Sequence, residues 1–122
     1  MLHSKPGSAN AIVLDFHGFL VNNTAWSSPT VSAYHALPYD LDGDPTTFSS
    51  VEQQAIVLIW ARVREDYYGF DVDVTTVVPA VLSETTGHVL VTKSVDALGN
   101  AMPYNMAGGI SFIGVFNTPS YA

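Results

Sequence analysis

Apolar residues recur along this chain with two different periods. In residues 49–70, SSVEQQAIVLIWARVREDYYGF, the side chains Ile56, Ile59, Trp60, Val63 and Tyr67 fall at i, i+3, i+4, i+7 and i+11. That spacing places one apolar stripe along a helix and predicts a single long one here. Ala55 and Leu58 widen the stripe, so the helix is expected to be buried against a sheet over much of its girth. Ser49 and Glu52 have the spacing of a capping box, in which each side chain satisfies a backbone N–H at the helix start. Gly69 suits the left-handed turn that ends many helices.

The other segments alternate with the period of strands. Residues 11–21, AIVLDFHGFLV, turn Ile12, Leu14 and Phe16 one way and Val13, Asp15 and His17 the other, with Gly18 marking a bulge or a close backbone approach. Residues 22–34, rich in Asn, Ser, Thr and Pro, read as surface loop or irregular edge structure. After the helix, residues 71–78 set Val72, Val74 and Thr76 against Asp71, Asp73 and Thr75, a strand with one wet face, and Pro79 stops it. Residues 88–93 form a short third strand, 94–108 a loop, and 109–116, GISFIGVF, a fourth strand. The order strand, helix, strand, strand, loop, strand predicts an α/β fold. It consists of a mixed β-sheet of about four strands backed by one long helix that crosses between parallel strands.

Composition narrows the classes. A chain of 122 residues, nearly half of them apolar, makes one globular domain. Eleven acidic side chains against Lys5, Arg62, Arg64 and Lys93 give a formal charge of −7. With no basic stripe, nucleic acid and anionic membrane surfaces are not expected partners. No apolar run is long enough to span a bilayer, and the opening MLHSKPGSAN has no apolar signal core, so no signal peptide is expected in it. The absence of cysteine removes disulfides and thiolate metal ligands.

Candidate chemistry is sparse. Asp40, Asp42 and Asp44 alternate on a tight loop and invite a calcium reading, because a hard cation wants several oxygens. The EF-hand pattern fails at Pro45, where the turn glycine belongs, and the commoner reading is an Asp-Gly turn whose carboxylates bond local N–H groups. The histidines His3, His17, His35 and His88 show no H-E-x-x-H spacing. His17 shares a strand face with Asp15, which allows a metal or acid–base pair, but a histidine hydrogen-bonded inside a sheet is commoner. Asp71 and Asp73 form a potential carboxylate pair or simply mark the solvent side of their strand. There is no G-x-S-x-G elbow, and Gly108-Gly109 precedes a strand rather than a helix. Taken alone, these residues specify no reaction.

Several stretches together carry a resemblance. LHSKPG at 2–7, LDFHGF at 14–19, YDLDGDPTTFSSVEQ at 39–53, IWARVREDYYGFDVDVTT at 59–76 and GGISFIGVF at 108–116 occur in this order. They resemble the front half of the catalytic domain of secreted bacterial zinc metallopeptidases of the metzincin type. The pairing of W-x-R-V-x-E-D-[YF] with F-D-V-D-V-T-T is the most specific piece, and residues 79–106 match thinly. The resemblance implies secretion, a peptide or protein substrate, zinc as the family's cofactor, and a sheet edge lining the substrate cleft. On that edge Gly109, Ile110, Ser111, Phe112, Ile113 and Gly114 would pair backbone-to-backbone with an extended peptide. The family tends to carry an aspartate and a histidine where this chain has His17 and Phe19, which leaves the role of that turn open.

The zinc motif H-E-x-x-H-x-x-G-x-x-H would follow the edge strand and is not among these 122 residues. Hydrolysis by that mechanism needs the metal to polarise the carbonyl and activate water, so no peptidase activity is expected of this polypeptide alone. The incomplete sheet is expected to close by strand pairing with a second copy, giving a homo-oligomer, or by residues 109–116 docking on 88–93. The alternative reading is a small non-enzymatic module that binds a peptide, calcium or a partner protein.

Overall fold

The computed structural model describes residues 1–112. In chain order its elements are β1 (Asn10–Asp15), β2 (Phe19–Asn22), β3 (Ala33–Ala36), α1 (Ser50–Asp66), β4 (Val72–Thr75) and β5 (Thr86–Leu90). The fold is mixed α/β, with a three-stranded parallel sheet in the order β4-β1-β5, a two-stranded antiparallel sheet of β2 and β3, and one helix. Parallel pairing of β1 with β4 requires a long connection, and α1 lies within it.

The alternation read in residues 11–16 sorts the two faces of the sheet as expected. Leu14, Phe16 and Val74 form the buried centre on the helix side, with Ile12 beside them, and Ile56, Ile59, Trp60 and Val63 of α1 pack against them. Burial of side chains of this size contributes about 1.5–3 kcal/mol each, which makes this contact the main source of cohesion. The indole Nε1–H of Trp60 reaches past it and donates to the Val74 carbonyl at 2.8 Å, so the polar end of the large ring is satisfied. The packing is one-sided, however. Leu58, expected to widen the buried stripe, is 59% exposed, and only Glu52 of the helix is fully enclosed.

The capping box at the start of α1 is present: Glu52 N–H donates to Ser49 Oγ and Ser49 N–H to Glu52 Oε2. The other end differs from expectation. The helix stops at Asp66 with Tyr67 as its cap, and Gly69 does not adopt the left-handed conformation. The Tyr67 N–H bonds back to the carbonyls of Val63 and Glu65, and the Lys5 side chain donates to the carbonyls of Tyr68 and Phe70 just past the helix end. A cation near this end also complements the negative end of the helix dipole.

Four strand expectations need correction. Residues 11–21 are two strands, because Asp15 Oδ1 accepts the His17 N–H at 2.8 Å and turns the chain. Gly18 is the close backbone approach: at φ +80° a Cβ there would stand 2.5 Å from the Ala36 carbonyl oxygen. The end of the supposed loop 22–34 runs into β3, whose register with β2 pairs Val21 with Tyr34. The strand at 71–78 is only β4, and its supposedly wet face is closed, with Asp73 and Thr75 buried. The third strand begins two residues earlier than read and ends at Leu90.

The face opposite α1 carries Val13, Asp15, Thr75 and Thr86, all buried. The outer edge of β4 is covered by the N-terminal segment, which runs antiparallel to it through a His3–Thr75 bridge. Ser4 N–H donates to the Val74 carbonyl and Thr76 N–H to the Leu2 carbonyl, each at 3.1 Å. Of the expected fourth strand, residues 109–112 are not strand, and Ile113, Gly114 and the rest of that segment lie outside the described residues. No described helix is long and apolar enough to cross a membrane.

Candidate functional site

The acidic loop resolves into nested turns. Asp40 Oδ1 accepts the Gly43 N–H at 2.7 Å, Asp42 Oδ1 the Asp44 N–H at 3.0 Å, and Asp44 Oδ1 the Thr46 N–H at 3.0 Å. This is the arrangement short acidic side chains adopt when they stand in for backbone acceptors in a turn. Asp44 faces Thr46 and Thr47 and does not join its neighbours. Carboxylate oxygens of Asp40, Asp42 and Glu52 instead gather within 4.8 Å of one another. These are oxygen donors suited to a hard cation such as calcium and not to zinc, which prefers nitrogen and sulfur. They are also the only such group of three or more among the described residues. Their oxygens are already engaged. Lys93 Nζ sits 2.9 Å from Asp40 Oδ2, and Glu52 accepts the Leu41 N–H at 2.6 Å besides its capping bonds.

The electrostatics of this loop follow from those bonds. The Lys93 ammonium and the Gly43 amide hold the Asp40 carboxyl below its ordinary range, and the Thr46 hydroxyl and amide do the same for Asp44. The Leu41 and Ser49 amides hold Glu52 down against the opposing effect of its burial. A cation entering here has to displace an ammonium and compete with several amides.

A second cluster lies where β1 leaves the sheet. His88 Nε2 bonds Asp15 Oδ2 at 2.9 Å, and both side chains are buried. Phe19 closes over the imidazole edge-on, with ring centroids 4.6 Å apart. His17, singled out in the sequence for sharing a face with Asp15, is instead largely exposed, its Nδ1 3.7 Å from Asp15 Oδ1 and its ring against Phe48. The histidine hydrogen-bonded inside the sheet is therefore His88. Only the parallel register of β1 with β5, which sets His88 beside Val13, brings it to Asp15. The pair ties two strands together.

Two further buried carboxylates organise the chain. Asp73 accepts from Ser4 N–H at 2.8 Å and Lys5 N–H at 2.9 Å, and bonds His3 Nδ1 at 2.7 Å. Burial raises its pKa, but these three partners outweigh the burial and leave it below the ordinary range. Asp96 binds the 94–101 loop to the hairpin through the amides of His35, Leu98 and Asn100. The sequence marks Gly99-Asn100 as a turn, but nothing local reveals that the aspartate before it reaches β3. Asp71, the potential partner of Asp73, is exposed and does not share its site.

The segment expected to line a cleft is placed by one aromatic contact. Phe112 stacks on Trp26, in the loop after β2, with centroids 4.3 Å apart. Residues 109–112 are exposed. In the parallel ladder, the Ala11 N–H to Thr85 O and Val91 N–H to Asp15 O bonds turn odd-numbered residues of β5 toward β1. The amides of His88 and Leu90 consequently face the outer edge, where no described residue pairs with them. Compared with protein-family models, with curated proteins and with solved structures, the chain matches none of them.

Proposed function

We propose that this chain is the front part of a secreted, metzincin-like zinc metallopeptidase domain, a scaffold for the substrate cleft that does not itself supply the zinc ligands. One observation carries the reading: bonds within and between the stretches that resemble the family hold the fold together. Asp73 of the FDVDVTT stretch takes the amides of Ser4 and Lys5 from LHSKPG. Within the 59–76 stretch, Trp60 donates to the carbonyl of Val74. Glu52 of the third stretch receives Leu41 of the same stretch and caps the helix that carries Trp60. Residues that match in sequence order thus serve one architecture rather than scattered surface roles.

In this reading the segment beginning at Gly109 forms the margin along which an extended peptide pairs through its backbone, and the peptide is the substrate. When bound, zinc would polarise the scissile carbonyl and activate water. The donors converging among the described residues are carboxylates, so its ligands would come from the H-E-x-x-H segment expected after the edge strand. The coding sequence past codon 122 tests the proposal directly. An H-E-x-x-H-x-x-G-x-x-H segment is expected there, and a stop codon in its place refutes the reading in favour of a non-enzymatic binding module. Purified as 122 residues, the protein is expected to leave casein uncut with zinc present. Cleavage that a chelator abolishes would overturn the assignment of the zinc ligands to residues outside this chain.

A further inference from the structure

The helix that anchors the core carries a second apolar surface on its far side. Val51 is 65% exposed and Leu58 59%, and Ala61 follows Leu58 at the next turn. Tyr68, 77% exposed, extends the strip beyond the helix end. Exposed Gln54, Arg62 and Glu65 lie among these side chains, so the far side is a mixed apolar and polar face. The sheet packs on the other side.

Charge singles out the same place. The chain has four lysines and arginines against eleven acids, yet Lys5, Arg62 and Arg64 all lie around Tyr68. Lys5 is committed to the carbonyls of Tyr68 and Phe70. Arg62 and Arg64 form no ion pair among the described residues, and Arg64 lies over the Trp60 ring at 5.0 Å. Both arginines line a shallow depression of about 530 Å³, together with Leu58, Ala61, Tyr68 and one carboxylate, Glu65. A protein that is strongly acidic overall therefore presents two guanidinium groups, unpaired among the described residues, beside its exposed apolar side chains.

We propose that the outward face of α1 docks an acidic, apolar peptide segment of a partner protein. Its carboxylates pair with Arg62 and Arg64, and its apolar side chains seat on Leu58, Ala61 and Tyr68. Guanidinium groups suit this occupant because they bind carboxylates in a fixed two-pronged geometry. A second copy of the chain suits it poorly. Two-fold pairing of this face with itself would bring four arginines together with only the two Glu65 carboxylates to offset them. The inference stands apart from the metallopeptidase reading, since this face points away from the sheet.

The test is selection of a random peptide display library on the folded 122-residue protein, with counter-selection on the Arg62→Glu/Arg64→Glu variant. Circular dichroism is expected to show both proteins equally folded, because the substituted side chains are exposed. Enriched peptides should combine Asp or Glu with Leu, Phe or Trp. A labelled peptide of the enriched consensus should bind the double variant, and separately Leu58→Ser, at least about tenfold more weakly in fluorescence polarisation, with affinity falling as salt rises. Selection of basic or neutral peptides, or binding unchanged by either variant, overturns the proposal. So does the absence of any enriched consensus, or a dimer in light scattering that Leu58→Ser abolishes.

Discussion

Replacing Asp73 with alanine tests the claim that one buried carboxylate holds the N-terminal segment on the edge of β4. Asp73 accepts two backbone amides, Ser4 at 2.8 Å and Lys5 at 2.9 Å, and bonds the His3 ring at 2.7 Å. Hydrogen bonds to a charged group contribute about 1.5–3 kcal/mol each when measured singly, and bonds sharing one acceptor group do not add in full. Ser4 N–H retains the Val74 carbonyl at 3.1 Å after the change, and His3 is partly exposed and can turn to water. The expected loss for Asp73→Ala is therefore about 2–4 kcal/mol. Asp73→Asn keeps an oxygen facing the two amides and should lose about 1–2 kcal/mol.

Urea unfolding followed by tryptophan fluorescence measures both losses at neutral pH. Linkage gives a second reading. The folded-state pKa of Asp73 is depressed, so its contribution is fully present above the unfolded value of about 3.9 and fades as pH falls through the lower folded value. The difference between the native protein and Asp73→Asn must therefore narrow as the solution is acidified. An Asp73→Ala variant within about 0.5 kcal/mol of the native protein, or a gap that stays constant down to acid pH, refutes the reasoning.

Three other outcomes are expected. Gly18→Ala should cost about 3 kcal/mol or more by thermal or urea unfolding, since alanine is strained at φ +80° and its Cβ would stand 2.5 Å from the Ala36 carbonyl oxygen; a loss below about 1 kcal/mol rejects the close approach. Trp60→Phe removes the indole donor but leaves Val74 O bonded to Ser4, so a loss of about 1–2 kcal/mol is expected in urea unfolding; unchanged stability contradicts the contact. Millimolar calcium should shift the melting temperature by less than about 1 °C, because Lys93 and local amides already hold Asp40, Asp42, Asp44 and Glu52; a rise that saturates with calcium assigns the loop as a cation site.

What could be read from the sequence follows a physical divide. The helix, its capping box and the inward set Ile12, Leu14 and Phe16 were legible because short-range periodicity and local hydrogen bonding encode them. The crossover between parallel strands was legible from element order alone. The fate of the acids was not. Asp73 alternates with valines as a wet-face residue would, and only the arrival of the chain's first residues buries it. The same holds for Asp15, whose partner His88 is set by strand register, and for Asp96, which accepts the His35 amide of a strand far from it in sequence. β3 escaped notice because Ala33–Ala36, AYHA, carries one buried aromatic and two small residues in place of a branched apolar alternation. Leu58 misled in the opposite direction, since an apolar side chain at helical spacing does not reveal whether anything covers it.

The strap over β4 also orders events during synthesis. His3 bonds a side chain 70 positions further along the chain, and Leu2 a residue 74 positions further. On a ribosome, residues 2–5 must wait for β4 to emerge before any of these bonds can form. Until then residues 2–5 have no edge to pair with, and their docking is a closing step of folding rather than a beginning.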